Sequence, residues 1–282
     1  MNLSNDKLVL ATRKSPLAIK QAEWVADLIK NQMGKEVDLM PMSTTGDRQM
    51  NWSLQEKGGK GLFTKELEIA LLEGRADLAV HSAKDLPTEN PAGLTLAAFT
   101  EREDARDVLI RREGSETGVM ASGSPRRIAQ LKLRFPSVSW VELRGNVETR
   151  LRKIAVNGEA DGTILAAAGL SRLGISNYPG VTFEKISVNE MVPAPGQAAI
   201  AIQVRKQEKE KFGVLDHLAT SRAVRLERWI LDRLGGGCQV ALGVHVVNDD
   251  LFFFHESCGI RNLKIADNSE EEVFKIISSW LD

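Results

Sequence analysis

Apolar and polar positions along this chain repeat one unit: a short apolar run, a polar loop, then apolar residues spaced three and four apart. Lys7 to Thr12 reads as a strand, Arg13-Lys14 as a loop, and Ser15-Pro16 as an N-cap and first helical residue. The stripe Ala18, Ala22, Val25, Ile29 and Met33 predicts a helix with Gly34 just past its end. Glu36 to Ser43 and Asp77 to His81 read as strands, and Phe63, Leu67 and Leu71 mark one face of a helix over 63–72. A second stretch repeats the rhythm, with strands over 118–122, 139–143 and 162–166 and helices over 126–135, 147–156 and 167–173. Such alternation predicts α/β domains, each built on a mostly parallel sheet covered on both faces. Leu94 to Phe99 and Ala199 to Val204 are strand-like runs beside the change from one domain to the other, so the chain is expected to cross over and return. The end differs. A helix over 222–234, strand-like runs over 240–247 and 251–255, and a helix over 271–281 predict a small α+β domain. The expected division is 1–99 completed by a return segment 197–215, then 100–196, then 216–282.

Composition narrows the class. The chain has 282 residues, 43% of them hydrophobic and 27% charged, which suits a soluble protein with more than one core. No apolar run approaches the ~20 residues of a membrane span. The first residues, Met1 to Lys7, lack the basic and apolar regions of a signal peptide, so a cytoplasmic protein with no membrane partner is expected. A net charge of -1 argues against nucleic acid as a partner. The two cysteines, Cys238 and Cys258, form no Cys-x-x-Cys, so neither a disulfide framework nor a metal site is expected.

Charged residues gather where predicted strands end, which is where open α/β sheets bind ligands. Arg13 follows the first strand, Lys84 and Asp85 follow 77–81, Arg126 and Arg127 follow 118–122, and Arg144 follows 139–143. Helix N-termini at the same edge add N–H donors, so the set favours a ligand with several acidic groups. Arginine forks suit carboxylates through paired hydrogen bonds. Gly58-Gly59-Lys60-Gly61 lacks phosphate-loop spacing and reads as a flexible segment carrying Lys60. Asp85 is a carboxylate among cations, either a salt-bridge partner or a group that stabilises positive charge developing on a ring. His81 within a strand reads as a packed core residue rather than a base. Cys238 sits in Leu234-Gly235-Gly236-Gly237-Cys238-Gln239, which is either a hinge with an incidental thiol or a loop that exposes the sulfur to something large.

With these residues assembled, the chain resembles the porphobilinogen deaminase (hydroxymethylbilane synthase) family from Leu8 to about Gly243. The motifs are Ala11-Thr12-Arg13-Lys14-Ser15-Pro16-Leu17-Ala18, Gly58 to Glu68, His81-Ser82-Ala83-Lys84-Asp85-Leu86-Pro87, Leu143 to Leu151, Ala168 to Gly174, Pro195-Gly196-Gln197 and Gly236-Gly237-Cys238-Gln239. The resemblance implies two periplasmic-binding-protein-like α/β domains with a double crossover plus a small C-terminal α+β domain. It implies a transferase of tetrapyrrole (haem) biosynthesis. Porphobilinogen loses ammonia to give an azafulvene, four such units add to a dipyrromethane cofactor, and hydrolysis releases hydroxymethylbilane. By the same resemblance Cys238 carries the cofactor through a thioether and Asp85 is catalytic. Ser82, Lys84, Asp85, Ser124, Arg126, Arg127 and Arg144 would contact the cofactor, and Arg13, Ser15, Lys60, Arg150 and Arg172 the substrate. A monomer is expected.

The chain departs from the family pattern in places. Gly-Thr-Ser-Ser-Leu-Arg-Arg is replaced by Ala121-Ser122-Gly123-Ser124-Pro125-Arg126-Arg127, the usual glycine after Gln197 is Ala198, and Gln203 stands where glutamate is common. The segment after Gly243 is short and matches weakly, and Cys258 there reads as an incidental thiol. The alternative to an enzyme is a degenerate relative, or a two-lobed anion-binding protein, that holds a pyrrole carboxylate without turnover.

Overall fold

The computed structural model describes residues 7–48, 61–236 and 240–281. Strand β1 (Lys7–Arg13) leads into α1 (Pro16–Met33), then β2 (Glu36–Met42), the short α2 (Thr45–Arg48) and α3 (Lys65–Leu72). Strand β3 (Leu78–Ser82) ends in a single 3-10 turn, Ala83–Asp85, and β4 (Leu94–Phe99) follows. A second series runs β5 (Asp107–Arg112), β6 (Val119–Ala121), α4 (Pro125–Arg134), β7 (Ser139–Val141), α5 (Val147–Ala155), β8 (Gly162–Ala166), α6 (Ala167–Arg172) and β9 (Val181–Lys185). The chain returns as β10 (Ile200–Arg205) and α7 (Lys209–Phe212). It closes with α8 (Leu218–Arg233), β11 (Gly243–Val247), β12 (Asp250–His255), β13 (Gly259–Lys264) and α9 (Glu270–Leu281).

Two compact units result, one of residues 1–102 and 199–221, the other of 103–198 and 222–282. In the first, a five-stranded sheet has the order β2-β1-β3-β10-β4. Alternation along β1 sorts its side chains by face. Leu8 and Leu10 pack with Ala22, Val25 and Ile29 of α1, whereas Ala11 packs with Leu67 and Leu71 of α3. Helix α1 starts where the sequence predicts: the Ser15 hydroxyl accepts from the Ala18 N–H at 3.3 Å, and Gly34 closes it at φ 64°.

The second unit holds a five-stranded sheet of order β7-β6-β8-β5-β9 and a three-stranded sheet β11-β12-β13. Val108, Ile110 and Leu165 pack against Leu151 and Ile154 of α5 on one face, while Leu109, Met120 and Ile164 meet Leu131 of α4 on the other. The three-stranded sheet has its own core, in which Val244, Leu251 and Phe253 pack on Ile230 of α8 and on Val273 and Ile277 of α9.

Each five-stranded sheet is mostly parallel, with four strands running one way and a single reversed strand among them. β1 pairs parallel with β2 and β3, but β10 runs antiparallel between β3 and β4. Likewise β6 is parallel to β7 and β8, whereas β5 is antiparallel to β8 and β9. The one reversed strand in each sheet is the strand that enters it from the crossover, β10 in the first and β5 in the second. Three strands, β5, β9 and β13, escaped the hydrophobic pattern. β5 and β9 begin or end in charged residues, and β13 (Gly-Ile-Arg-Asn-Leu-Lys) is a mostly exposed edge.

Candidate active site

In the first unit, the carboxyl ends of β1 and β3 open onto a pocket lined by Arg13, Ser15, Gln21, Phe63, His81, Ser82 and Asp85, among others. Arg13 is the last residue of β1, its guanidinium carbon lies 4.3 Å from the centre of the Phe63 ring, and its other edge forms an ion pair with Asp47. Asp47 is itself fixed by the Thr44 N–H at 3.1 Å and the Thr44 hydroxyl at 2.8 Å. Burial pushes the Asp47 carboxyl up, but the hydrogen bond and charge of Arg13, with the Thr44 donors, outweigh it and hold the group below its ordinary range. Arg13 is thus oriented by a fixed acid and stacked on a ring, which leaves less conformational entropy to lose when it meets an anion.

Asp85 ends the 3-10 turn after β3, whose position is set by the Ala83 N–H donating to the Ala199 carbonyl at 3.0 Å. Lys84 stands beside it on the same turn. Among the described residues, the Asp85 carboxylate accepts no hydrogen bond and pairs with no cation. Of the two readings left open by its sequence position, no salt bridge is formed with a described residue. Ser82 exchanges hydrogen bonds with the buried Gln21 amide at 2.9 and 3.3 Å, and Ser15 caps α1. His81 is buried, and its Nε2 lies 3.1 Å from Gln203 Oε1.

The second unit carries the other cationic residues. Ser124 caps α4, accepting from the Arg127 N–H, and Pro125 is the first helical residue, so the altered loop still starts its helix conventionally. Arg126 and Arg127, in the first turn, are buried on one acid. Asp107 Oδ2 accepts from Arg126 Nη2 at 2.8 Å, and Oδ1 accepts from Arg127 Nη2 at 2.7 Å and Nε at 3.1 Å. The Val192 carbonyl accepts a further bond from Arg126 at 2.6 Å, the Ile164 carbonyl one from Arg127 at 3.0 Å, and Gln197 Nε2 donates to Asp107 Oδ1 at 3.0 Å. Burial alone would raise the Asp107 carboxyl, but the two guanidiniums hold it well below the carboxylate range. Five of the six guanidinium nitrogens of this arginine pair donate within the protein.

Arg144 differs. Its Nη2 lies 2.5 Å from Glu142 Oε1 as an ion pair, but the angles do not make a hydrogen bond, and Nε and Nη2 are buried without hydrogen-bond partners. Buried guanidinium N–H groups carry a desolvation cost that an incoming carboxylate would remove. Arg150 turns Nε onto the Gly145 carbonyl at 2.8 Å, and Arg172 binds Glu103 and the Ala198 carbonyl, each at 2.6 Å. Lys60 and Cys238 lie outside the described residues. Among the described residues no group of three or more His, Cys, Asp or Glu could hold a metal ion, and no helix is long and apolar enough to cross a membrane.

Pattern reasoning from the sequence passes over Asp47, Phe63, Gln21 and Asp107 as site residues. For Asp107 there was a faint signal, an acid heading the apolar run Val108-Leu109-Ile110; Asp47 had none.

A family model described as porphobilinogen deaminase, dipyrromethane cofactor binding domain, matches residues 8–212. Porphobilinogen deaminase from Desulfitobacterium hafniense is 44% identical over 85% of this chain and 80% of its own length. The enzyme of that name from Clostridium acetobutylicum is 39% identical over 96% of each. Among solved structures, the VFT2 domain of BvgS from Bordetella pertussis is similar at a TM-score of 0.45, with 16% identity over 74% of this chain and 84% of that one. Motif order, match length and identity over nearly the whole chain agree, and the chain belongs to the porphobilinogen deaminase family.

Proposed function

We propose that the chain joins four porphobilinogen molecules head to tail on a covalently attached dipyrromethane, with release of ammonia and finally of hydroxymethylbilane, and that Asp85 is its catalytic residue. The observation that carries this reading is Asp85 itself, a carboxylate without a partner among the described residues, at a strand end and in one pocket with the oriented Arg13. An ionised carboxylate there can accept a pyrrole N–H and stabilise positive charge that develops on the ring as the leaving amine departs. Arg13 would hold an acidic side chain of the substrate, and Ser15, Lys60, Arg150 and Arg172 would assist.

The dipyrromethane supplies a nucleophilic pyrrole carbon as primer. Arg144 would hold one of its acidic side chains, since the buried Nε of that arginine has no hydrogen-bond partner and Nη2 pairs with Glu142 alone. Arg126 and Arg127 would act through the N–H groups that Asp107 and the two carbonyls leave over, together with Ser82, Lys84 and Ser124. Cys238 is the proposed attachment point by its place in the family motif. We also read the chain as a monomer acting in the cytoplasm, with residues 216–282 as a third domain; the separate core of the three-stranded sheet supports that division.

Intact-mass measurement tests the attachment: the protein should carry two linked pyrroles, and Cys238→Ser should lose them. Full porphobilinogen consumption by Cys238→Ser would overturn the assignment. Asp85→Asn, loaded with the cofactor, should consume porphobilinogen at least about a hundredfold more slowly, as expected for losing a charge-stabilising group. Unchanged turnover would remove Asp85 from the mechanism.

A further inference from the structure

The pocket that holds Asp85 is also lined by a histidine for which the proposed chemistry has no task. His81 is 5% exposed, and its Nε2 meets Gln203 Oε1 at 3.1 Å. Gln203 is fully buried on β10, and its Nε2 donates to Asn90 Oδ1 at 3.3 Å. The amide is therefore held from behind, with its oxygen turned to the ring. β10 crosses β3 with Ala201 opposite His81, which makes Gln203 the diagonal neighbour of His81 on the same face. On its other side, the ladder to β4 shifts register between Ile202 and Gln203, an irregularity of the kind that re-aims a side chain beside a site.

Charged side chains on elements around β3 include Arg13 of β1, with Asp47 behind it, Glu68 of α3, Arg205 of β10, and Lys84 and Asp85 of the following turn, and of these Arg13 acts on the ring. Burial and the charge of Arg13 both disfavour protonation of the ring, and although the Gln203 bond opposes them, its pKa is pushed down to about 4. A buried acceptor amide can take one N–H from an imidazole, but it cannot compensate an imidazolium as a carboxylate would.

We propose that Gln203, braced by Asn90, is a positioning residue that fixes His81 as the neutral Nε2–H tautomer, leaving its Nδ1 lone pair as an acceptor and adding no positive charge to the Asp85 pocket. A cation at His81 would compete with substrate N–H groups for Asp85 and repel Arg13. For its catalytic consequence the inference rests on the function proposed above; the state of the ring does not.

The test uses the full-length protein, loaded with its cofactor and labelled with 15N-histidine, as wild type, Gln203→Glu and Gln203→Met. In wild type the His81 nitrogens should report the Nε2–H tautomer, unchanged from pH 8 to 5.5. Q203E should raise the titration midpoint by about 2 units or more, as a buried carboxylate partner does, and Q203M should lose the fixed tautomer. The pH profile of porphobilinogen consumption should gain an ionisation in Q203E that wild type lacks. An Nδ1–H tautomer or a midpoint near 6.5 in wild type overturns the proposal, even if neither variant folds. A Q203E ring that titrates higher while the pH profile stays superimposable on wild type overturns the positioning role. Wild type that consumes no porphobilinogen strikes the enzymatic reading alone, since the ring is read without substrate.

Discussion

Asp107 shows how much a single residue can carry. One fully buried carboxylate serves Arg126, Arg127 and Gln197, tying β5 to the first turn of α4 and to the loop before β10. Removing one partner from a buried ion cluster strands the others, which costs about 3–5 kcal/mol. Asp107→Asn should accordingly lower the unfolding free energy measured in urea by about 3 kcal/mol or more, and an unchanged midpoint would mean that the cluster contributes little. Acid should act through His81. Its folded pKa, about 4, lies below its ordinary 6.5, so the unfolded chain binds more protons between those values. Stability conferred by the neutral ring is complete above about pH 6.5 and is lost as pH falls toward 4, by on the order of 2 kcal/mol between pH 7 and 5. Asp107, whose folded pKa is also depressed, adds a loss of the same sign at lower pH. Urea unfolding at pH 7 and pH 5 measures the first step, and equal stabilities at both would contradict it.

At the scale of elements, the turns that present the cationic residues are set by backbone geometry. Gly145, between Arg144 and the N-cap Asn146, has φ 117°, and a Cβ there would lie 2.7 Å from Thr149 Cγ2. Gly145→Ala should cost about 1–2 kcal/mol, the usual range for strain in this region, and lower the fraction of protein carrying the cofactor mass by moving Arg144. Ala198 is the opposite case. Standing where the family commonly has glycine, it takes φ 71° at the end of the loop before β10. The left-handed conformation costs a residue with a Cβ roughly 1–2 kcal/mol, and glycine's greater unfolded-state freedom takes back about 0.4–1. Ala198 is also buried against Ala105 and Ala168, so losing its methyl costs about 0.8 kcal/mol. Ala198→Gly should therefore stay within about 1 kcal/mol of the parent in thermal unfolding; a larger loss would show that Ala198 is not strained.

For the molecule as a whole, the helices and most strands were legible because one periodicity governs each. The stripe of α1, its Ser15 cap and Gly34 follow from local rules, and β4 and β8 span the residues that their apolar runs predict. Strand-end logic likewise pointed to Arg13 and Asp85, which line one pocket, since open α/β sheets leave a crevice beyond the carboxyl ends of their strands. What that logic could not do was pair charges. It grouped Arg126 and Arg127 with Arg144 as open anion binders, but their acid, Asp107, is nearly twenty residues away in sequence. Asp47 reaches Arg13, and Gln203 reaches His81, across still longer separations. Local sequence determined the repeated strand-loop-helix units, their caps and the residue types at the strand ends, because those depend on neighbours within a few positions. Tertiary structure alone decided the antiparallel insertion of β10 and which cations keep their donors for a ligand, because strand order and buried ion pairing depend on residues that meet only when distant segments pack.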